Sequence, residues 1–194
     1  ELYSIPSYHK SGNPEIIHGK DIHSNKILVD NDMVLFGKIN PDLPKIWYVL
    51  SDTKLRKIGS TEFIQLKGNE KANSKFLFYL SWSEFLYGKC KSFVSGTTPS
   101  RARVEPKPFV KIPIPLPSLP EQQKIATILS NVDNLIETTE KVIVHSKKVK
   151  TGLMQKLLTR GIGHTKFKKV PWLFGKEIEI PEEWNISRLN DVCV

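Results

Sequence analysis

Between positions 110 and 117 aliphatic residues alternate with lysine or proline, and from position 121 the chain carries no proline or glycine until Gly152. Side chains alternate faces in an extended chain, so Val110, Ile112, Ile114 and Leu116 can line one surface. The prolines cannot donate to a ladder, which keeps the segment at a sheet edge or in polyproline geometry. It reads as a stiff strap that leads the chain out of a domain in a fixed direction. Pro120 then suits a first helical position, and Glu121 places negative charge in the first turn. Apolar residues recur at Ile125, Ile128, Val132, Leu135, Val142, Val149, Leu153 and Leu157, close to a heptad, with Thr139 and Ser146 at two seam positions. A helix over 120–159 is roughly 60 Å long at 1.5 Å per residue. A domain of the size that precedes it has a radius of gyration on the order of 13 Å and cannot bury such a seam. A coiled coil can; a core helix broken near Gly152 is the alternative.

Ahead of the strap, "KILVDNDMVLFGKI" (26–39), "KIWYVL" (45–50) and "EFIQLK" (62–67) are β-branched or aromatic runs separated by Asn, Asp, Pro and Gly turns, the pattern of strands. "NSKFLFYLSWSEFLY" (73–87) sets Phe76, Leu77, Leu80 and Glu84 at helical intervals behind Asn73, a good N-cap. Beyond the long helix, "TRGIGHTKFKK" (159–169) supplies Gly161 as a C-cap glycine followed by cations, which suit the negative helix end and equally suit DNA phosphate. "IPEEWNISRLNDVCV" (180–194) reads as an extended lead-in followed by a strand, the first element of a further domain. The fold class is therefore α+β: a mixed, strand-rich domain over 1–117, a long coiled-coil-forming helix over 118–160, and a linker with the first element of another domain over 161–194.

With 39% hydrophobic residues the chain can build a real core, and no apolar run is long enough to span a membrane. "ELYSIPSYHK" lacks the features of a signal peptide, so the chain is read as cytoplasmic. Cys90 and Cys193 form no CxxC pair, and no His or Cys spacing suggests a metal site. No phosphate-cradling loop, HExxH or GxSxG motif is present, and no catalytic residue is assigned. "NPDL" (40–43) is a faint echo of the tetrapeptide of adenine methyltransferases but lacks its aromatic. Twenty-nine Lys and Arg against twenty Asp and Glu, a net charge of +9, point instead to a polyanionic partner. "GKINPDLPK" reads as a turn presenting Lys38, Asn40 and Lys45; "SDTKLRKIGSTE" adds Arg56 and Lys57; and "GTTPSRAR" is a glycine-led loop carrying Thr97, Thr98, Arg101 and Arg103. These residue types bond phosphate oxygens and base edges, and we take them as the candidate contacts to double-stranded DNA.

"IPIPLPSLPEQQKIATILSNVDNLIE" (112–137) closely resembles the conserved region of the specificity subunit of type I restriction-modification systems, and "KKVKTGLMQKLLTRGIGHTKF" (147–167) resembles the end of that region's helix. "VLFGKINPDLPKIWYV", "STEFIQL" and "FVSGTTPSRARVEPKPFVKIPIPLP" are similar to the later part of a target recognition domain, here lacking its opening strand, and "IPEEWNISRLNDVCV" to the start of the next. The resemblance implies a non-catalytic subunit whose recognition domains each read half of a split DNA site, held apart by two long antiparallel helices. It implies docking to methyltransferase subunits and, through them, to a restriction subunit. S-adenosylmethionine, ATP and magnesium belong to those partners, so no cofactor is expected on this chain. With one recognition domain and one such helix, the chain is either a piece of a longer subunit or a half-subunit that forms an antiparallel homodimer with exchanged tails. Two other readings stay open: a basic coiled-coil protein that binds DNA without sequence preference, and the recognition portion of a fused methyltransferase-nuclease.

Overall fold

A computed structural model describes residues 1–96 and 102–193, which fall into two units, Glu1–Val132 and Asp133–Val194. The first unit opens with β1 (Leu2–Tyr3) and α1 (Ile5–Ser11), continues through β2 (Lys26–Leu28), β3 (Met33–Gly37), β4 (Ile46–Val49), β5 (Ile58–Ser60) and β6 (Phe63–Lys67), and then forms α2 (Ser74–Trp82). β7 (Val94–Ser95), β8 (Arg103–Val104) and α3 (Pro106–Phe109) follow, before α4 (Leu119–Arg160) runs into the second unit.

An antiparallel sheet in the order β4-β3-β6 forms the middle layer. Strand residues alternate faces, and here both faces are apolar. Val34, Phe36, Ile46 and Ile64 pack on one side against Leu86, Tyr87, Cys90, Val104 and Phe109. On the other side Leu35, Trp47, Val49 and Phe63 pack with Tyr3 and Val29, covered by α1 and by a second sheet in the order β1-β5-β2. Ser4 caps α1 by accepting from the Ser7 amide at 3.2 Å, Gly12 ends it at φ +67°, and the Trp47 indole donates to the Gly12 carbonyl at 2.9 Å. The three expected apolar runs become β2 and β3, β4, and β6. The other strands of this unit are only two or three residues long and leave no period in the sequence.

Asn73 caps α2 as expected, its side chain accepting from the Phe76 amide at 3.0 Å. The helix stops earlier than the spacing predicts, because Ser83 is extended and caps a separate wide turn over 84–88. The proline strap pairs in no sheet; Ile112 and Ile114 pack on the core, while Val110 and Leu116 are exposed.

α4 is 42 residues long, about 63 Å, and buries only Gln122 and Ala126 along its length. In the second unit β9 (Phe167–Pro171) and β10 (Glu177–Pro181) form a hairpin, followed by α5 (Leu189–Val192). The strand expected near the chain end is thus a helical turn. Gly161 stops α4 at φ +65°, where a side chain is also excluded by His164 and Trp184, 2.6 and 2.9 Å from the Cβ it would carry. Beside it the Arg160 guanidinium lies over the Phe167 ring and pairs with Glu179 at 3.5 Å, and His164 meets Glu183 at 3.5 Å. Arg160, in the last turn of α4, is therefore engaged within the chain.

Replacing Phe36, which is sealed between Tyr87 and Phe109, by Ala should cost roughly 3–5 kcal/mol. Phe174→Ala, at a residue 97% exposed on the β9–β10 turn, should change stability by no more than about 0.5 kcal/mol. Urea denaturation of both variants checks this; equal effects would contradict the layering.

Candidate nucleic-acid interface

Three backbone segments meet where β3 ends. The Lys38 amide donates to the Glu62 carbonyl at 2.8 Å, the Val104 amide to the Lys38 carbonyl at 3.0 Å, and the Asn40 amide to the Ala102 carbonyl at 3.0 Å. These bonds lay the 38–43 loop against the base of the β7–β8 hairpin. Lys38, Asn40 and Arg103 are thereby brought together, all half-buried. Asn40 takes a left-handed φ of +49°, a conformation that asparagine tolerates better than most residues. The Arg103 Nε donates to both Glu62 carboxylate oxygens, at 3.1 and 3.3 Å. That contact orients a guanidinium whose side chain is still 42% exposed.

Lys45 is placed differently from expectation. It is 3% exposed, and its ammonium donates to the carbonyls of Ile39 at 3.0 Å, Asn40 at 3.0 Å and Leu43 at 2.6 Å. Burial pushes its pKa down, while three acceptors match the three protons of the charged form. Lys45 therefore holds the loop from within and does not present its charge to a partner. The room for its stem comes from Gly37, where an added Cβ would lie 3.0 Å from the Lys45 Cβ and carbonyl oxygen. A glycine placed opposite a lysine across two strands is the sequence signal that reveals this inward turn, once the pairing is known. Tyr87, not foreseen from the sequence, donates its hydroxyl to the Pro41 carbonyl. Burial first, then the neighbouring Cys90, Asp42 and Glu84, push it up to about 12, so it remains a donor.

Arg56 and Lys57 lie elsewhere. They line a cavity of about 300 Å³ with Leu28, Val29, Asp30, Asn31 and Leu55, at the end of β3 away from Lys38. Lys57 also donates to the Thr53 carbonyl at 3.2 Å. Thr97, Thr98 and Arg101 lie outside the described residues. Of the expected helix-packing residues, Ile125 is half-buried, whereas Ile128, Val132, Leu135, Val142, Val149, Leu153 and Leu157 are exposed along α4. Among the described residues no cluster of His, Cys, Asp or Glu is arranged to hold a metal ion, and no helix is long and apolar enough to cross a membrane.

The end of β3 thus gathers a lysine, an asparagine and an oriented arginine on loops of a unit that runs on into a helix with an exposed apolar seam. Residues 3–145 match the Type I restriction modification DNA specificity domain, and the chain belongs to that family. It is 44% identical over 106 residues to the MjaVIII specificity subunit of a type I restriction enzyme of Methanocaldococcus jannaschii, covering 53% of this chain and 24% of that protein. It is 30% identical over 186 residues to the candidate MjaX specificity subunit of the same organism, covering 94% and 42%. Its fold matches the crystal structure of the HsdS subunit from Thermoanaerobacter tengcongensis with a TM-score of 0.59 at 23% identity, over 88% of this chain and 46% of that one. The chain thus spans less than half the length of each of these proteins.

Lys45→Met keeps the stem but removes the ammonium from the Ile39, Asn40 and Leu43 carbonyls, of which Asn40 keeps its bond from the Leu43 amide, so it should destabilise the fold by about 1–3 kcal/mol and speed amide exchange at Leu43. Lys38→Met should be close to neutral. Urea denaturation and hydrogen exchange test the pair, and a neutral Lys45→Met would contradict the inward role.

Proposed function

We propose that this chain reads one half of a split double-stranded DNA site, using the surface where β3 ends. The observation that carries the reading is the meeting of the 38–43 loop with the base of the β7–β8 hairpin, which groups Lys38, Asn40 and Arg103 on a chain of net charge +9 in a DNA specificity family. Thr97, Thr98 and Arg101 are further contacts in this reading, and Arg56 and Lys57 meet phosphates further along the duplex. The domain assignment follows: recognition over 1–117, spacer helix over 118–160, and a linker with the opening of a second recognition domain over 161–194. Recognition and geometry belong to this chain; methylation and cleavage belong to the subunits it assembles, in the cytoplasm.

α4 sets the distance to the other half-site and docks the methyltransferase subunits, through which the restriction subunit joins. Its exposed seam supports pairing with a second helix of the same kind. In an antiparallel homodimer the tail from 180 onward lies beside the partner's recognition domain, and two-fold symmetry demands an inverted-repeat site. In a longer chain the second helix would follow in the same polypeptide.

Selection from random duplex DNA at moderate salt, with and without the matching methyltransferase subunit, tests the reading. Enrichment of a split motif is expected; retention of DNA without sequence preference in both arms would leave a basic assembly protein instead. For Arg103→Ala, loss of a base contact should cost about 1–3 kcal/mol and relax one position, whereas loss of a phosphate contact should weaken all sequences and reduce the salt slope by about 1. Unchanged affinity and unchanged specificity would remove Arg103 from the interface. Sedimentation should show a dimer that Leu135→Asp with Val142→Asp dissociates, and a wild-type monomer would exclude the homodimer.

A further inference from the structure

Gln122 has no exposed surface, although it lies on a helix that is otherwise almost entirely in water. Its amide nitrogen donates to the Pro117 carbonyl at 2.8 Å and the Lys71 carbonyl at 2.9 Å, and its amide oxygen accepts from the Asn73 backbone N–H at 2.8 Å. Both donor protons are used and the oxygen is engaged. The three partners come from the end of the strap, the turn before α2, and the residue that caps α2. None of them can be replaced by a compensating side chain, because all are backbone groups.

The far side of this clamp is rigid. A Cβ at Gly68 would fall 2.2 Å from the Ala72 carbonyl oxygen, so the 68–73 turn closes on itself tightly. The Gly68 amide donates to the Ser74 hydroxyl at 2.7 Å, and that hydroxyl donates to Asp32 at 3.1 Å. Asp32 also accepts from the Tyr48 hydroxyl at 2.8 Å, which reaches the β4-β3-β6 sheet. Hydrogen bonds thus tie the first helical turns to the sheet through the start of α2.

We infer that Gln122 is a positioning residue that fixes the direction in which α4 leaves the recognition domain, and through it the spacing between half-sites; the second clause rests on the function proposed above. The lever is long. A tilt of about 10° at the root moves the far end of a ~60 Å helix by about 10 Å, which is roughly three base pairs of duplex. A small apolar contact that slides would not hold that angle, whereas three directional bonds to fixed backbone do.

Distance measurement between two spin labels tests the clamp without DNA. The labels sit at Lys67→Cys on β6 and Asn131→Cys on α4, both exposed. Cys193→Ser supplies the background, since buried Cys90 is pushed up to about 11 and stays unlabelled. With Gln122 present the distribution should be one narrow peak. Gln122→Met should lose that peak while the near-ultraviolet dichroism of the aromatic core persists. Gln122→Glu, which keeps the acceptor and loses both donors, should lose it as well. A lower melting temperature with the peak unchanged means that Gln122 merely stabilises, and overturns the inference. Hydrogen exchange on the unaltered chain gives a second reading: the Asn73 amide should exchange as slowly as amides of β3, and fast exchange overturns the clamp. In the assembled complex, Gln122→Met should enrich the same half-site bases at several spacings where wild type selects one. No spacing preference in the wild type would sink the ruler reading, while the label distances still decide the role of Gln122.

Discussion

β3 has no polar face, and the arrangement of the first unit follows from that. Val34 and Phe36 point one way, Leu35 the other, and all three are sealed from solvent. A sheet whose central strand is apolar on both sides must be covered on both sides, so α2, the 84–88 turn and the strap close one face and the β1-β5-β2 sheet with α1 closes the other. The polar chemistry is pushed to the strand's two ends. At its start Asp32, at φ +64°, receives the Tyr48 and Ser74 hydroxyls. At its end the chain turns into the Lys38–Asn40 segment. A loop rooted on such a strand inherits a fixed position, which is what a binding surface needs from its scaffold.

That same strand shows what the sequence can and cannot disclose. β3, β4 and β6 are legible because four or five residues in each carry a clear alternation or apolar run bounded by turn residues. α4 is legible to within a residue at each end because Pro120 and Gly161 mark its limits. The β9–β10 hairpin is not, since "FKKVP" and "EIEIP" mix proline with charges of opposite sign whose pairing, Lys169 opposite Glu179, is seen only once the register is known. The end of α2 escapes because Phe85 and Leu86 continue the apolar spacing past Ser83, and only the extended backbone at Ser83 breaks it.

The candidate site is less legible than the core for a physical reason. Its geometry is made by backbone bonds between segments distant in the chain, Lys38 with Glu62 and Val104, Asn40 with Ala102. Local pattern carries no trace of such bonds. Lys45 is the clearest case: its residue type argues for the surface, and only three converging carbonyls and the space above Gly37 turn it inward. Arg103 was legible as a cation but not as one oriented by Glu62.

The long helix raises a different question, since little within its own chain covers it. Isolated helices are marginal, and most helical stability in proteins comes from packing an apolar face. The exposed seam from Ile128 to Leu157 therefore argues for a counterpart, with each fully buried aliphatic side chain adding about 1.5–3 kcal/mol before the costs of association. The polar gap at Thr139 is compatible with such a seam. Its hydroxyl donates to the Leu135 carbonyl at 2.8 Å, so burial leaves no donor unpaired. A seam interrupted by a polar residue such as Thr139 gives up some affinity but favours one register over its neighbours. On the spacer role proposed for α4, register matters more than strength: a slip of one heptad shifts the far end by about 10 Å, as much as a loose root would.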